Sequence, residues 1–220
     1  MNKNEIEKAL EDIHFIKEVI SRDSAYFQRF LESKGMRYLT LFFGAVLSIL
    51  SFLAYFFLSK QIVEPTTFKW ILTISIILLV IITGLLKWKI WDFLFPENPW
   101  PNMIIKVVGI SVLRIIILIL TLIIAFTIGL SVVKLYQFIL PVWAIGCGIL
   151  FCIYGSFFNA SLALELTGYF IIAGGSLSLF FIHDKPVEAW LWSGIIFGIG
   201  FLIYFIVATI SSLTRKAKGE

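Results

Sequence analysis

Six long runs of apolar residues, at 39–58, 70–86, 103–133, 138–158, 166–182 and 189–210, alternate along the chain with short polar or charged stretches. Ser59, Lys60 and Gln61 close the first run, Lys69 and Lys87 bracket the second, and Pro96, Pro99 and Pro101 separate the second from the third. Each run is close to the ~20 residues that carry a helix across a ~30 Å hydrocarbon core. Backbone in lipid must satisfy its own hydrogen bonds, so each run predicts a helix, with 107–133 taken as the third span. The pattern predicts an all-α membrane bundle of six transmembrane helices over 38–210. A cytoplasmic amphipathic helix precedes it over 1–37, and a basic tail follows at 211–220.

Ahead of the first run the period changes. Residues 5–33 lack Pro and Gly and repeat apolar residues every seven positions. Ile6, Ile13, Ile20 and Phe27 share one heptad position, and Ala9, Ile16, Asp23 and Phe30 share the next. This is the narrow apolar seam of a coiled coil or of a helix laid in a groove. Asp23 interrupts it, and Gly35 is a candidate terminator before the first span. The seam residues Ile6, Ile13, Ile16, Ile20, Phe27 and Phe30 are the expected contact surface. It can be received by the protein's own loops, by a second copy or by a protein partner.

Composition narrows the class. Of 220 residues 60% are hydrophobic and 15% charged, against the ~25% charged of an ordinary soluble domain. A mean hydropathy of +0.97 excludes a disordered chain. The net charge of +4 is not concentrated at the N-terminus, where seven basic and seven acidic side chains balance over residues 1–37. A polybasic arm for nucleic acid would carry one sign, so no nucleic-acid partner is expected. The acids before the first run also argue against a cleavable signal peptide.

Charge does set an orientation, because cytoplasmic loops collect Lys and Arg. With the N-terminus inside, the cytoplasmic segments hold the seven basic residues of 1–37, then Lys87, Lys89 and Lys106, then Arg215, Lys216 and Lys218. The outside holds Lys60, Lys69, Lys134 and Lys185. All seven tryptophans fall near one interface or the other under the same arrangement, as Trp prefers. Both termini are expected in the cytoplasm, and the membrane is expected to be a bacterial inner membrane. The inner loop 87–106, rich in Lys and Trp, predicts a short helix lying among the headgroups. Asn159, Ala160 and Ser161 match a glycosylation sequon on the cytoplasmic side, where it would not be used.

Glycine is unevenly spread, with five in residues 1–134 and ten in 135–220. Gly194 and Gly198 lie four apart on one helix face, a spacing that lets backbones approach closely. It predicts helix packing within one subunit or dimerisation through the sixth span.

Two ionisable residues need a partner or an interface. Arg114 lies eight residues beyond Lys106, and Glu165 opens the fifth span. An intramembrane Arg114–Glu165 pair would satisfy both. Alternatively Arg114 sits at the inner interface, with 103–113 as a separate membrane-surface segment.

Catalytic patterns are missing from the sequence. His14 and His183 are expected on opposite sides of the membrane, so they cannot share a metal or haem. Cys147 and Cys152 point about 140° apart on a helix, which disfavours a disulfide. No nucleophile–base set or metal cluster is recognisable, so neither an enzyme nor a cofactor is expected. The expected function is a membrane interaction or regulatory protein, or a subunit of a membrane complex. The alternative is a small-solute channel or transporter for a neutral or lipophilic substrate, and an enzyme acting on lipid ranks third.

Overall fold

The computed structural model describes residues 29–61, 65–96, 100–157, 161–182 and 186–218. Among these residues are six α-helices: α1 (Lys34–Ser59), α2 (Pro65–Leu94), α3 (Trp100–Val132), α4 (Ile139–Phe157), α5 (Leu162–Phe181) and α6 (Glu188–Lys218). A 3-10 turn at Tyr136–Phe138 leads into α4, and no strand occurs among the described residues. Each of the six is long and apolar enough to cross a membrane. The chain is an integral membrane protein, and all regular structure among its described residues is helical.

Three helix ends differ from the pattern-based expectation. Ser33 is the N-cap of α1, with an extended backbone, and its hydroxyl accepts from the Met36 N–H at 3.2 Å. Gly35 therefore sits in the first turn of α1 and does not terminate the helix before it. The break falls at residues 32–33, because the serine side chain supplies an acceptor there for an otherwise unpaired donor.

Residues 87–94 do not form a separate surface helix; they continue α2 to a total of 30 residues, ~45 Å. Nothing in that stretch removes a backbone donor before Pro96, and α2 ends two residues short of it. Similarly, 103–113 is part of α3 and not a separate segment. Pro101 is the second residue of α3, a place where the missing N–H would have no partner in the helix anyway.

The far end of α3 closes with Lys134 in the left-handed region at φ 60°. The Lys134 N–H donates to Ser131 O at 3.2 Å and the Leu135 N–H to Leu130 O at 2.8 Å. This pair of bonds is a Schellman cap, usually built on glycine.

Between helices, α1 packs on α6, α6 on α5 and α5 on α4. Glycines set these contacts. A side chain at Gly44 would run into Phe201, and one at Gly194 would meet Ser51 and Phe52, so α1 and α6 run antiparallel. Gly148 faces the Gly168 carbonyl and Gly175 faces Ala144, so α4 and α5 also run antiparallel. Gly174 against Ile196 and Gly200 against Ile171 join α5 to α6 in the same sense.

α2 flanks α1, α3 flanks α4, and the two barely touch each other. Protein buries 44% of the apolar window of α6 but 6% of that of α3. Gly84 on α2 and Gly129 on α3 face open space. Lipid tails are as apolar as leucine, so the outward Ile and Leu side chains of α2 and α3 gain nothing from being covered by protein.

Candidate functional site

The antiparallel arrangement brings the start of α1, the end of α2 and the C-terminal half of α6 to one end of the bundle, termed the proximal end. There residues 29–31 are helical, and a turn at 32–33 leads into α1. Phe30 is 2% exposed and packs edge-to-face on Trp91 of α2, with ring centroids 4.9 Å apart. Trp91 is fully buried, and its ring lies 4.7 Å from that of Phe95. From α6 the hydroxyl of Tyr204 donates to the Leu31 carbonyl at 2.7 Å, a bond buried from solvent. Met36, Leu39, Ile116, Ala163, Leu164 and Ala208 complete the cluster.

Phe30, the last residue of the predicted seam, is thus received by the chain's own α2. The other seam residues, Ile6, Ile13, Ile16, Ile20 and Phe27, lie outside the described residues. Trp91, predicted as an interface aromatic, is instead a buried one. Tyr204 carried no sequence signal beyond being an apolar-helix tyrosine, although a buried tyrosine hydroxyl usually finds a hydrogen-bond partner.

Gly194 and Gly198 lie against α1 of the same chain. Ser48 donates its hydroxyl to the Gly194 carbonyl at 2.7 Å, and its Oγ occupies the space a side chain at Gly198 would need. The matching signal on α1 was Gly44, Ser48 and Ser51, small residues on one helical face. With α1 seated there, this face of α6 has no room for a second copy.

Arg114 and Glu165 are not brought together. Arg114 is exposed on α3, which packs on α4, and among the described residues no ion pair joins it to Glu165. Glu165 lies in the first turn of α5, with its methylene groups over Gly155 of α4. A carboxylate in a first turn interacts favourably with the positive end of the helix dipole, so the position carries its own compensation. The backbone carbonyl of Glu165 also accepts a weak bond from the Cys152 thiol at 3.8 Å.

Tryptophans with described side chains fall in two bands. Trp88 and Trp91 are proximal; Trp143, Trp190 and Trp192 are at the other end. There Trp143 donates to the Thr127 hydroxyl at 3.0 Å and Trp192 stacks on Phe181 at 5.1 Å.

Among the described residues no three His, Cys, Asp or Glu side chains converge as metal ligands. Cys147 and Cys152 are not joined by a disulfide. His14, His183 and Asn159 lie outside the described residues. Comparison with protein-family models, with curated proteins and with solved structures finds no match. The proximal cluster of Phe30, Leu31, Trp91 and Tyr204 is therefore the candidate functional site on its geometry alone.

Proposed function

We propose that the chain is a membrane interaction or regulatory protein, or a subunit of a membrane complex, of a bacterial inner membrane with both termini in the cytoplasm. Its amphipathic N-terminal helix presents the seam Ile6–Phe27 to a protein partner or to a second copy. The observation that carries this reading is the anchoring of the segment's end: Phe30 and Leu31 are fixed by Trp91 and Tyr204. Upstream of Phe30 the sequence continues the same apolar period through Phe27, Ile20, Ile13 and Ile6, and that face calls for a receiver of its own. The balance of basic residues supports the cytoplasmic placement. The close glycine contact of α4 with α5 disfavours the channel alternative, since backbones in contact at Gly148 and Gly168 leave no aqueous path between those two helices.

The test keeps the full chain, because a truncation past Phe30 would uncover Trp91 and Tyr204. A photo-crosslinking residue is placed at Ile13, on the seam, or at Glu11, about 200° around the helix. In native membranes the reading expects a discrete protein adduct, either a second copy or another protein, from Ile13 and not from Glu11. Equal labelling at both positions, or lipid adducts alone, would overturn it.

A further inference from the structure

α2 attaches to the bundle mainly along α1. Its buried side chains among the described residues are Leu79, Thr83 and Trp91. The Thr83 hydroxyl is spent on its own helix, bonding to Leu79 O and Val80 O, so it holds α2 to nothing else. Ile77, Leu78, Val80, Ile81 and Leu85 all face outward. In lipid these outward residues supply no force toward the bundle. Trp91 is the largest fully buried side chain among the described residues, and part of its cover comes from outside the membrane helices. That part is Phe30, on the segment before the Ser33 cap. The segment is itself fixed to α6, through the Leu31 carbonyl and the Tyr204 hydroxyl. Residues 30–31 therefore bridge two helices, α2 by a ring contact and α6 by a hydrogen bond.

We infer that residues 30–31 act as a strap holding the proximal end of α2 to the bundle, in addition to the direct contact of Ile90 with Gly35 of α1.

The experiment uses the full chain in lipid nanodiscs, with Cys147 and Cys152 replaced by alanine. Spin labels are placed at Phe93 on α2 and Leu166 on α5, both exposed positions at the proximal end. A second pair, Leu166 and Leu213, reports α5 against α6. Phe30→Ala is expected to lengthen or split the Phe93–Leu166 distance distribution and to leave Leu166–Leu213 unchanged. Tyr204→Phe keeps the ring and removes only the bond to Leu31, and it is expected to shift the first pair part of the way. An unchanged first pair in Phe30→Ala would overturn the strap. So would equal broadening of both pairs, which would make Phe30 an ordinary core residue. No partner is present in this measurement, so its failure leaves the partner reading standing, and failure of the Ile13 crosslink leaves the strap standing.

Discussion

Ser48 on α1 donates its hydroxyl to the carbonyl oxygen of Gly194 on α6 at 2.7 Å, across 146 residues of sequence. The contact is possible because Gly198, one turn further along α6, has no side chain to claim the same space. Where surrounding lipid gives helices no hydrophobic reason to associate, such close approach supplies the packing and the hydrogen bond together.

This relationship predicts non-additive substitutions. Ser48→Ala removes one interhelical hydrogen bond and should cost about 0.6 kcal/mol. Gly198→Ala should cost more, about 1–2 kcal/mol, because the new methyl forces the Ser48 hydroxyl off its acceptor. In the Ser48→Ala background the methyl meets the residue-48 Cβ at 3.4 Å, an ordinary contact, so the second change should be nearly neutral. Unfolding titrations in mixed micelles on the four proteins measure the coupling. Strictly additive losses would mean that Ser48 and Gly198 do not share this space.

The glycines of α4 and α5 should be far less tolerant than those of the flanking helices. A Cβ at Gly168 would lie 2.7 Å from Gly148 O and 2.8 Å from the Cys152 backbone nitrogen. Backbone atoms cannot rotate away, so the two helices must separate, and Gly168→Ala should cost about 1–3 kcal/mol. Gly84→Ala on α2 meets nothing within 4 Å. It should be neutral or stabilising by up to about 1 kcal/mol through helix propensity. Equal losses at the two positions, measured by thermal unfolding in one detergent, would contradict the close α4–α5 contact.

The number of spans was legible because an apolar run must match the thickness of the bilayer, whatever the helices do beside one another. The facing of each helix was not, since a lipid-facing isoleucine looks like a buried one. Ile123 on α3 is 4% exposed and its neighbour Ile124 is 52% exposed, yet nothing in their chemistry distinguishes them. Hydropathy also stopped short of the ends of α2 and α3, because helix that leaves the hydrocarbon no longer needs to be apolar. At the candidate site Phe30 was legible as an apolar contact residue from the seven-residue period. Its receiver was not, because Trp91 lies in a Lys- and Trp-rich stretch that composition alone assigns to the headgroups. The Gly194–Gly198 spacing signalled a close neighbour without naming α1. The Arg114–Glu165 pair was inferred from shared depth, and depth does not say whether two helices are adjacent.

Separate environments for Arg114 and Glu165 predict independent effects. Glu165→Gln should cost about 0.3–1 kcal/mol, the interaction of a carboxylate with the first turn of a helix. Arg114→Gln should have its own smaller effect on the exposed face of α3. The double variant should equal the sum of the two within about 0.5 kcal/mol. A coupling well above that, read from the same unfolding titrations, would restore a direct pair.

The cap on α3 predicts a stabilising change. Lys134 occupies the left-handed conformation at φ 60°, where a Cβ crowds the following carbonyl oxygen. The two cap bonds, from Lys134 N to Ser131 O and from Leu135 N to Leu130 O, are made by the backbone. They do not depend on the lysine side chain, which is exposed. Glycine adopts this conformation without the steric penalty, although it gives up more freedom on folding. The steric gain of roughly 1–2 kcal/mol should exceed that entropic loss, leaving Lys134→Gly more stable by about 0.5–1 kcal/mol. Lys134→Val should be destabilised, because a β-branched side chain is the worst fit to this region. Melting temperatures of the three proteins in one detergent order these effects as Gly above Lys above Val. A valine variant as stable as the glycine variant would show that residue 134 does not hold the left-handed cap.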